Sequence, residues 1–134
     1  MAENTFTLRI ITPDRVFYEG EATMVEFSTT EGEIGVYKNH VPLTVIVKPG
    51  ILRIHEEGEM KTAALHSGFV EILPERVSIM AEIVEWPSEI DVERAEDALK
   101  RAKERLAART QDTDVIRAEA ALARASARIS VIGK

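Results

Sequence analysis

The 134 residues contain no cysteine, which excludes disulfides, thiolate metal sites and thiol nucleophiles and gives no pointer to an oxidising compartment; a cytosolic, soluble chain is expected. Long hydrophobic runs are missing too. The longest near-apolar stretch, Val41 to Val47, falls far short of the roughly 20 residues a spanning helix needs, and the N-terminus MAENTFTLRI has no basic segment leading into an apolar one. No Gly-rich phosphate loop of the G-x-x-x-x-G-K-S/T type, no nucleophile elbow and no pair of carboxylates with a tuning neighbour occurs, so no catalytic residue is assigned. Ser67 beside His66 does not make a nucleophile–base pair, because neighbouring residues of a strand face opposite sides. Positive charge lacks a surplus: 17 Lys/Arg stand against 23 Asp/Glu, a formal net charge of -6, which argues against a general nucleic-acid binder. The deficit is uneven. Residues 1–87 hold 7 Lys/Arg against 14 Asp/Glu, whereas residues 88–134 hold 10 against 9.

What is present divides the same way. Phe6, Leu8 and Ile10 alternate with Thr7 and Arg9, the period-two pattern of a half-buried strand. Similar runs recur as RVFY, ATMVEFS, PLTVIVK, ILRIHE, MKTAALH, FVEIL and RVSIMAEIV, separated by turn signals at Thr12-Pro13-Asp14, Glu31-Gly32-Glu33, Pro49-Gly50, Glu57-Gly58 and Leu73-Pro74-Glu75. Many short strands without room for crossover helices predict an antiparallel β-sandwich or flattened barrel. His55 and His66 read as ordinary strand residues, Met24, Met60 and Met80 as packing residues, and Trp86 as the anchor of a linker.

After Trp86 the period becomes helical. Val92, Ala95, Leu99, Ala102 and Leu106 make one apolar stripe, and Val115, Ala118, Leu122, Ala125, Ile129 and Ile132 make a second after the polar break RTQDTD. Ser88 reads as the first N-cap with Asp91 in a capping-box role, and Asp112 or Asp114 as the second N-cap. The fold class predicted is therefore α+β: a sandwich over 1–87, then an antiparallel two-helix hairpin over 88–134. The alanine-rich seam buries little area, which suits a moving element and equally a hairpin permanently docked on the sheet.

A turn centred near residue 111 sets Arg94 opposite Arg128 and Ala98 opposite Arg124. Arg124 and Arg128 are four apart, and like charges at that spacing cost an isolated helix roughly 0.2–0.5 kcal/mol unless an anion or acid answers them. Glu85 and Asp91 lie near the same end. Arginine forks match phosphate oxygens, which gives one reading, an anion site; surface arginines paired with Glu119 or Glu89 are the other.

Ile90-Asp91-Val92-Glu93-Arg94-Ala95 resembles the I/L-D-x-x-R-A motif of the epsilon subunit of bacterial F-type ATP synthases. Glu31-Gly32-Glu33-Ile34-Gly35-Val36, then His40-Val41-Pro42-Leu43, and Ser67-Gly68-Phe69-Val70-Glu71 resemble further segments of that family in the same order. Asn39 and Ser67 stand where the family usually has glycine; asparagine tolerates left-handed geometry. The resemblance implies a docking sandwich that contacts the gamma subunit and the ring of c subunits, with Glu33 and His40 on that interface. It implies that the helices, extended toward the alpha and beta subunits, inhibit ATP hydrolysis, with Lys100, Arg101, Lys103, Arg105 and Arg109 as candidates to face acidic segments of beta. It implies ATP as a regulatory ligand, not a substrate, held by Glu85, Ile90, Asp91, Arg94, Ala95, Arg124 and Arg128. No metal, nucleic acid or membrane insertion is implied; the chain is expected at the cytoplasmic face of the cell membrane, peripheral to it. The rival reading is a stand-alone sandwich interaction module that oligomerises through its helical tail.

Overall fold

Period-two burial marks the start of the sandwich: Phe6, Leu8 and Ile10 are buried while Arg9 between them is exposed. The computed structural model describes residues 4–133. Ten strands occur among them: β1 (Phe6–Ile11), β2 (Val16–Ala22), β3 (Met24–Thr29), β4 (Gly32–Val36), β5 (Leu43–Val47), β6 (Gly50–Glu56), β7 (Glu59–Leu65), β8 (Gly68–Ile72), β9 (Arg76–Ala81) and β10 (Val84–Glu85). A 3-10 turn (Pro87–Glu89), α1 (Val92–Ala108) and α2 (Val115–Ile132) complete the chain. The predicted α+β class holds, with one helical hairpin after a sandwich. No helix among the described residues is long and apolar enough to cross a membrane.

The strands run in the order β10-β7-β6-β3-β5-β8-β9-β1-β2, with β4 added on β3. Phe6, Phe27, Leu52, Ile54, Ile72 and Ile79 are fully or almost fully buried inside this sandwich, each contributing about 1.5–3 kcal/mol of apolar burial. Two features depart from the expectation. β1 pairs parallel with β9, Thr7 beside Arg76 through Ile11 beside Met80; no hairpin joins these strands, so the meeting of their buried faces, not a turn, sets their direction. The turn read at Glu31-Gly32-Glu33 is present at Thr30-Glu31, with Gly32 at φ 114°, but from Gly32 the chain continues as β4, a strand the pattern did not announce, whose Ile34 pairs with Phe27.

The hairpin tips fall where turn chemistry puts them. Glu57-Gly58 joins β6 to β7 with Gly58 at φ 82°, and the Leu73 N–H donates to the Arg76 carbonyl across Pro74-Glu75 at 2.9 Å. Asn39 takes φ 67°, the left-handed geometry its side chain permits. Gly68 is required sterically: at φ 156° a Cβ there would sit 2.2 Å from the Met80 carbonyl oxygen. Ser67 beside it is accommodated, its hydroxyl donating to Glu82 at 2.6 Å. Met60, read as packing, is half exposed at a strand end.

Trp86 anchors the linker as expected, its ring stacked on Phe17 at 4.2 Å between centroids and edge-on to Tyr18 at 6.5 Å. Ser88, read as an N-cap, instead lies inside the 3-10 turn. Proline at its first position favours that turn, and the helix starts three residues later with Asp91 as N-cap, its Oδ1 accepting from the Arg94 N–H at 3.1 Å. Val92, placed in the apolar stripe, is consequently exposed. Asp114 caps α2. α2 lies on β6 and β7, and α1 packs on α2. Ala95, Ala102, Ala118 and Ala125 fill the helix seam, while Val131 joins Ile90 and Ala64 in a small satellite core apart from the sandwich interior.

Candidate functional site

Three segments converge at the open end of the hairpin: the end of β10, the first turn of α1 and the last turns of α2. Between them lies a pocket of about 450 Å³ lined by Glu85, Glu89, Ile90 and Asp91, by Arg94, Ala95, Ala98 and Arg101 of α1, and by Arg128 of α2. Glu85, Ile90, Asp91, Arg94, Ala95 and Arg128 are thus brought together. Arg124 is not among the lining residues; it is half buried, one turn back on α2, close enough to His66 to act on it electrostatically.

Geometry assigns each group a different task. Asp91 is engaged as helix cap. Arg128 Nε donates to Glu85 Oε1 at 2.7 Å, and His66 Nε2 reaches the same oxygen at 3.1 Å. Among the described residues, the guanidinium groups of Arg94, Arg101 and Arg124 are within 4 Å of no carboxylate. The pairing of Arg124 or Arg128 with Glu119 or Glu89 does not occur. Glu89 is held instead by Arg15 of the β1–β2 turn, whose Nη2 lies 2.8 Å from both carboxylate oxygens, and Glu89 also accepts from the Trp86 N–H at 2.9 Å. The Arg15 guanidinium holds the Glu89 carboxyl below its usual range. Two guanidinium forks without carboxylate partners, beside a cleft whose remaining lining includes Ile90, Ala95 and Ala98, suit an anion.

Sequence reasoning missed two residues. Arg101, assigned to the outward-facing basic group, sits on the pocket face because it follows Arg94 by seven positions, two helical turns, with Ala98 between. His66, read as an ordinary strand residue, lies in the β7–β8 connection with its side chain fully buried. Burial first, and then the charges of Arg128 and Arg124, hold its imidazole below the ordinary range against the opposing pull of Glu85. Glu33, on β4, and His40, whose Nδ1 donates to the Val41 carbonyl at 2.9 Å, lie outside this pocket; Glu33 lines a shallower cleft between the sheet and α2.

A family model described as ATP synthase, Delta/Epsilon chain, beta-sandwich domain matches residues 5–87, and one described as ATP synthase, Delta/Epsilon chain, long alpha-helix domain matches residues 88–133. This chain belongs to the ATP synthase delta/epsilon family. Among relatives named ATP synthase epsilon chain, that of Desulforudis audaxviator is 49% identical over 134 residues, covering 100% of this chain and 98% of its own. The Alkaliphilus oremlandii epsilon chain is 44% identical over 105 residues, 78% of each chain. In fold, a chain of the Euglena gracilis mitochondrial ATP synthase (OSCP/F1/c-ring) superposes with a TM-score of 0.82 at 22% identity, covering 97% of this chain and 82% of that one.

Proposed function

We propose that this delta/epsilon family chain is a non-catalytic epsilon subunit of an F-type ATP synthase, peripheral at the cytoplasmic face of the cell membrane. In this reading its sandwich docks on gamma and the c ring, and its hairpin closes over ATP and otherwise extends toward alpha and beta to inhibit hydrolysis. The observation that carries the ATP part is the pocket at the hairpin mouth, where Arg94 and Arg101 face the cleft without acidic partners beside the Arg128–Glu85 pair. ATP bridging helix and sandwich residues stabilises the closed form by RT ln(1 + [L]/Kd), about 2.7 kcal/mol at a hundredfold excess over Kd. Because α1 contacts the sandwich chiefly through α2, loss of α2 docking frees both helices together.

Docking is supported by an apolar strip on the sandwich. Ile46 and Phe69 are paired neighbours on β5 and β8, 56% and 42% exposed, and with Ile11 and Met80 they line a shallow apolar depression; such a contiguous patch marks an interaction face. Glu33 and His40, neither of which lines this strip, are the polar candidates for docking that the family resemblance supplies.

Calorimetry of the isolated chain with ATP tests the ligand. Binding heat in the wild type and its loss in Arg94→Ala support the reading, and no heat in either removes it. For the inhibitory role, a reconstituted ATP synthase lacking residues 88–134 of this chain should still assemble and hydrolyse ATP faster; unchanged hydrolysis refutes it.

A further inference from the structure

We propose that His66 is a positioning residue for the hairpin pocket: a neutral ring holds Glu85 against Arg128, and protonation of the ring disassembles that contact and favours the open hairpin. The inference rests on the proposed opening and closing of the hairpin, and not on ATP being the ligand.

The ring is placed without freedom. Its side chain has no accessible surface, the His66 N–H donates to the Ile83 carbonyl at 3.1 Å, and Nε2 meets Glu85 Oε1 at 3.1 Å. A carboxylate only accepts, so the neutral ring carries its proton on Nε2 and presents a lone pair at Nδ1. Nδ1 is buried and, among the described residues, has no hydrogen-bond partner. A second proton therefore has to enter as an N–H with no acceptor, the most costly kind of buried polar group.

The charges around the ring compound this cost. From α2 come Arg124 and Arg128, and from β10, among the described residues, the one carboxylate acting on the ring, that of Glu85. The neighbouring carboxylates are engaged elsewhere, Glu82 with the Ser67 hydroxyl and Glu89 with Arg15. An imidazolium here would confront two guanidinium groups across one acid. Undocking α2 withdraws both arginines and uncovers the ring.

The closed state binds fewer protons at His66 than the open state, so closure is at full strength above the ordinary histidine value of 6.5 and weakens as pH falls below it. A single linked proton changes the closure equilibrium by up to about tenfold per pH unit within that window.

The absence of cysteine lets two introduced thiols carry spin labels at Glu57, on a hairpin tip of the sandwich, and Ile116, 81% exposed on α2. The distance between them, measured on the full chain without nucleotide from about pH 7.5 to about pH 5.5, should lengthen for a growing fraction of molecules. His66→Gln keeps an N–H donor for Glu85 but cannot titrate, so its closed fraction should match wild type at the upper pH and stay flat. An equal pH response in wild type and variant overturns the proposal. Should the variant misfold, NMR titration of the wild-type His66 ring decides instead, and a midpoint at or above 6.5 overturns it. ATP added at the upper pH separates the two readings: a pH response abolished by His66→Gln with no effect of ATP leaves this proposal standing and removes ATP as ligand.

Discussion

Val131→Ala isolates the energy that keeps the hairpin down. Val131 is 1% exposed, and it packs with Ile90, Ala95 and Ala64 in the satellite core, away from the sandwich interior. Truncation removes two methyl groups, a transfer loss of about 1.5 kcal/mol before any cavity contribution. That loss falls on docking, so the closed-to-open ratio should drop about tenfold or somewhat more, while the sandwich keeps its own cooperative transition. Ile79→Ala, in the main core, should instead cost the sandwich about 2–5 kcal/mol. The two magnitudes decide a further outcome. Ligand at a hundredfold excess over Kd returns about 2.7 kcal/mol to the closed state, more than the truncation removes, so ATP should restore closure in Val131→Ala. It should fail in Arg128→Ala, where the bridging cation itself is gone. Spin-label distances between sandwich and α2 report closure, and urea unfolding reports the sandwich. If Val131→Ala lowers the urea midpoint as much as Ile79→Ala does, the division into a main core and a separate docking core is wrong.

Further expectations concern the linker, a turn and a cap. Glu89 has its carboxyl lowered from 4.5 by Arg15, so its clamp on the linker is complete above that pH and is lost as pH falls through the lowered value; iodide quenching of Trp86, the sole tryptophan, should rise in that acid range and should be raised already at neutral pH in Glu89→Gln. Gly68→Ala should cost at least about 2 kcal/mol in urea unfolding because of the Met80 carbonyl, whereas Gly58→Asn, where a Cβ meets nothing within 4 Å, should be nearly neutral. Asp91→Ala should cost the docked α1 about 1 kcal/mol, seen as faster amide exchange in its first turn, and Ser88→Ala should not; equal effects would restore Ser88 as the cap.

The amino-acid sequence alone determined the two kinds of element and where they meet. Strand alternation and helical spacing are local periodicities, fixed by backbone geometry within a few residues, so Phe6-Leu8-Ile10 and Ala95-Leu99-Ala102 declare themselves without any partner. It also determined that Arg94 and Arg128 share the hairpin's open end, because a short loop between helices of known rise leaves little choice of register. The tertiary structure decided the rest. That β1 runs parallel to β9, that Gly32-Glu33-Ile34 is a strand, that α2 and not α1 lies on the sheet, and that His66 reaches Glu85 beneath Arg128 all depend on segments distant in the chain. No local signal encodes such meetings. They are settled by which apolar faces bury each other best and by which buried polar groups find partners once they have done so.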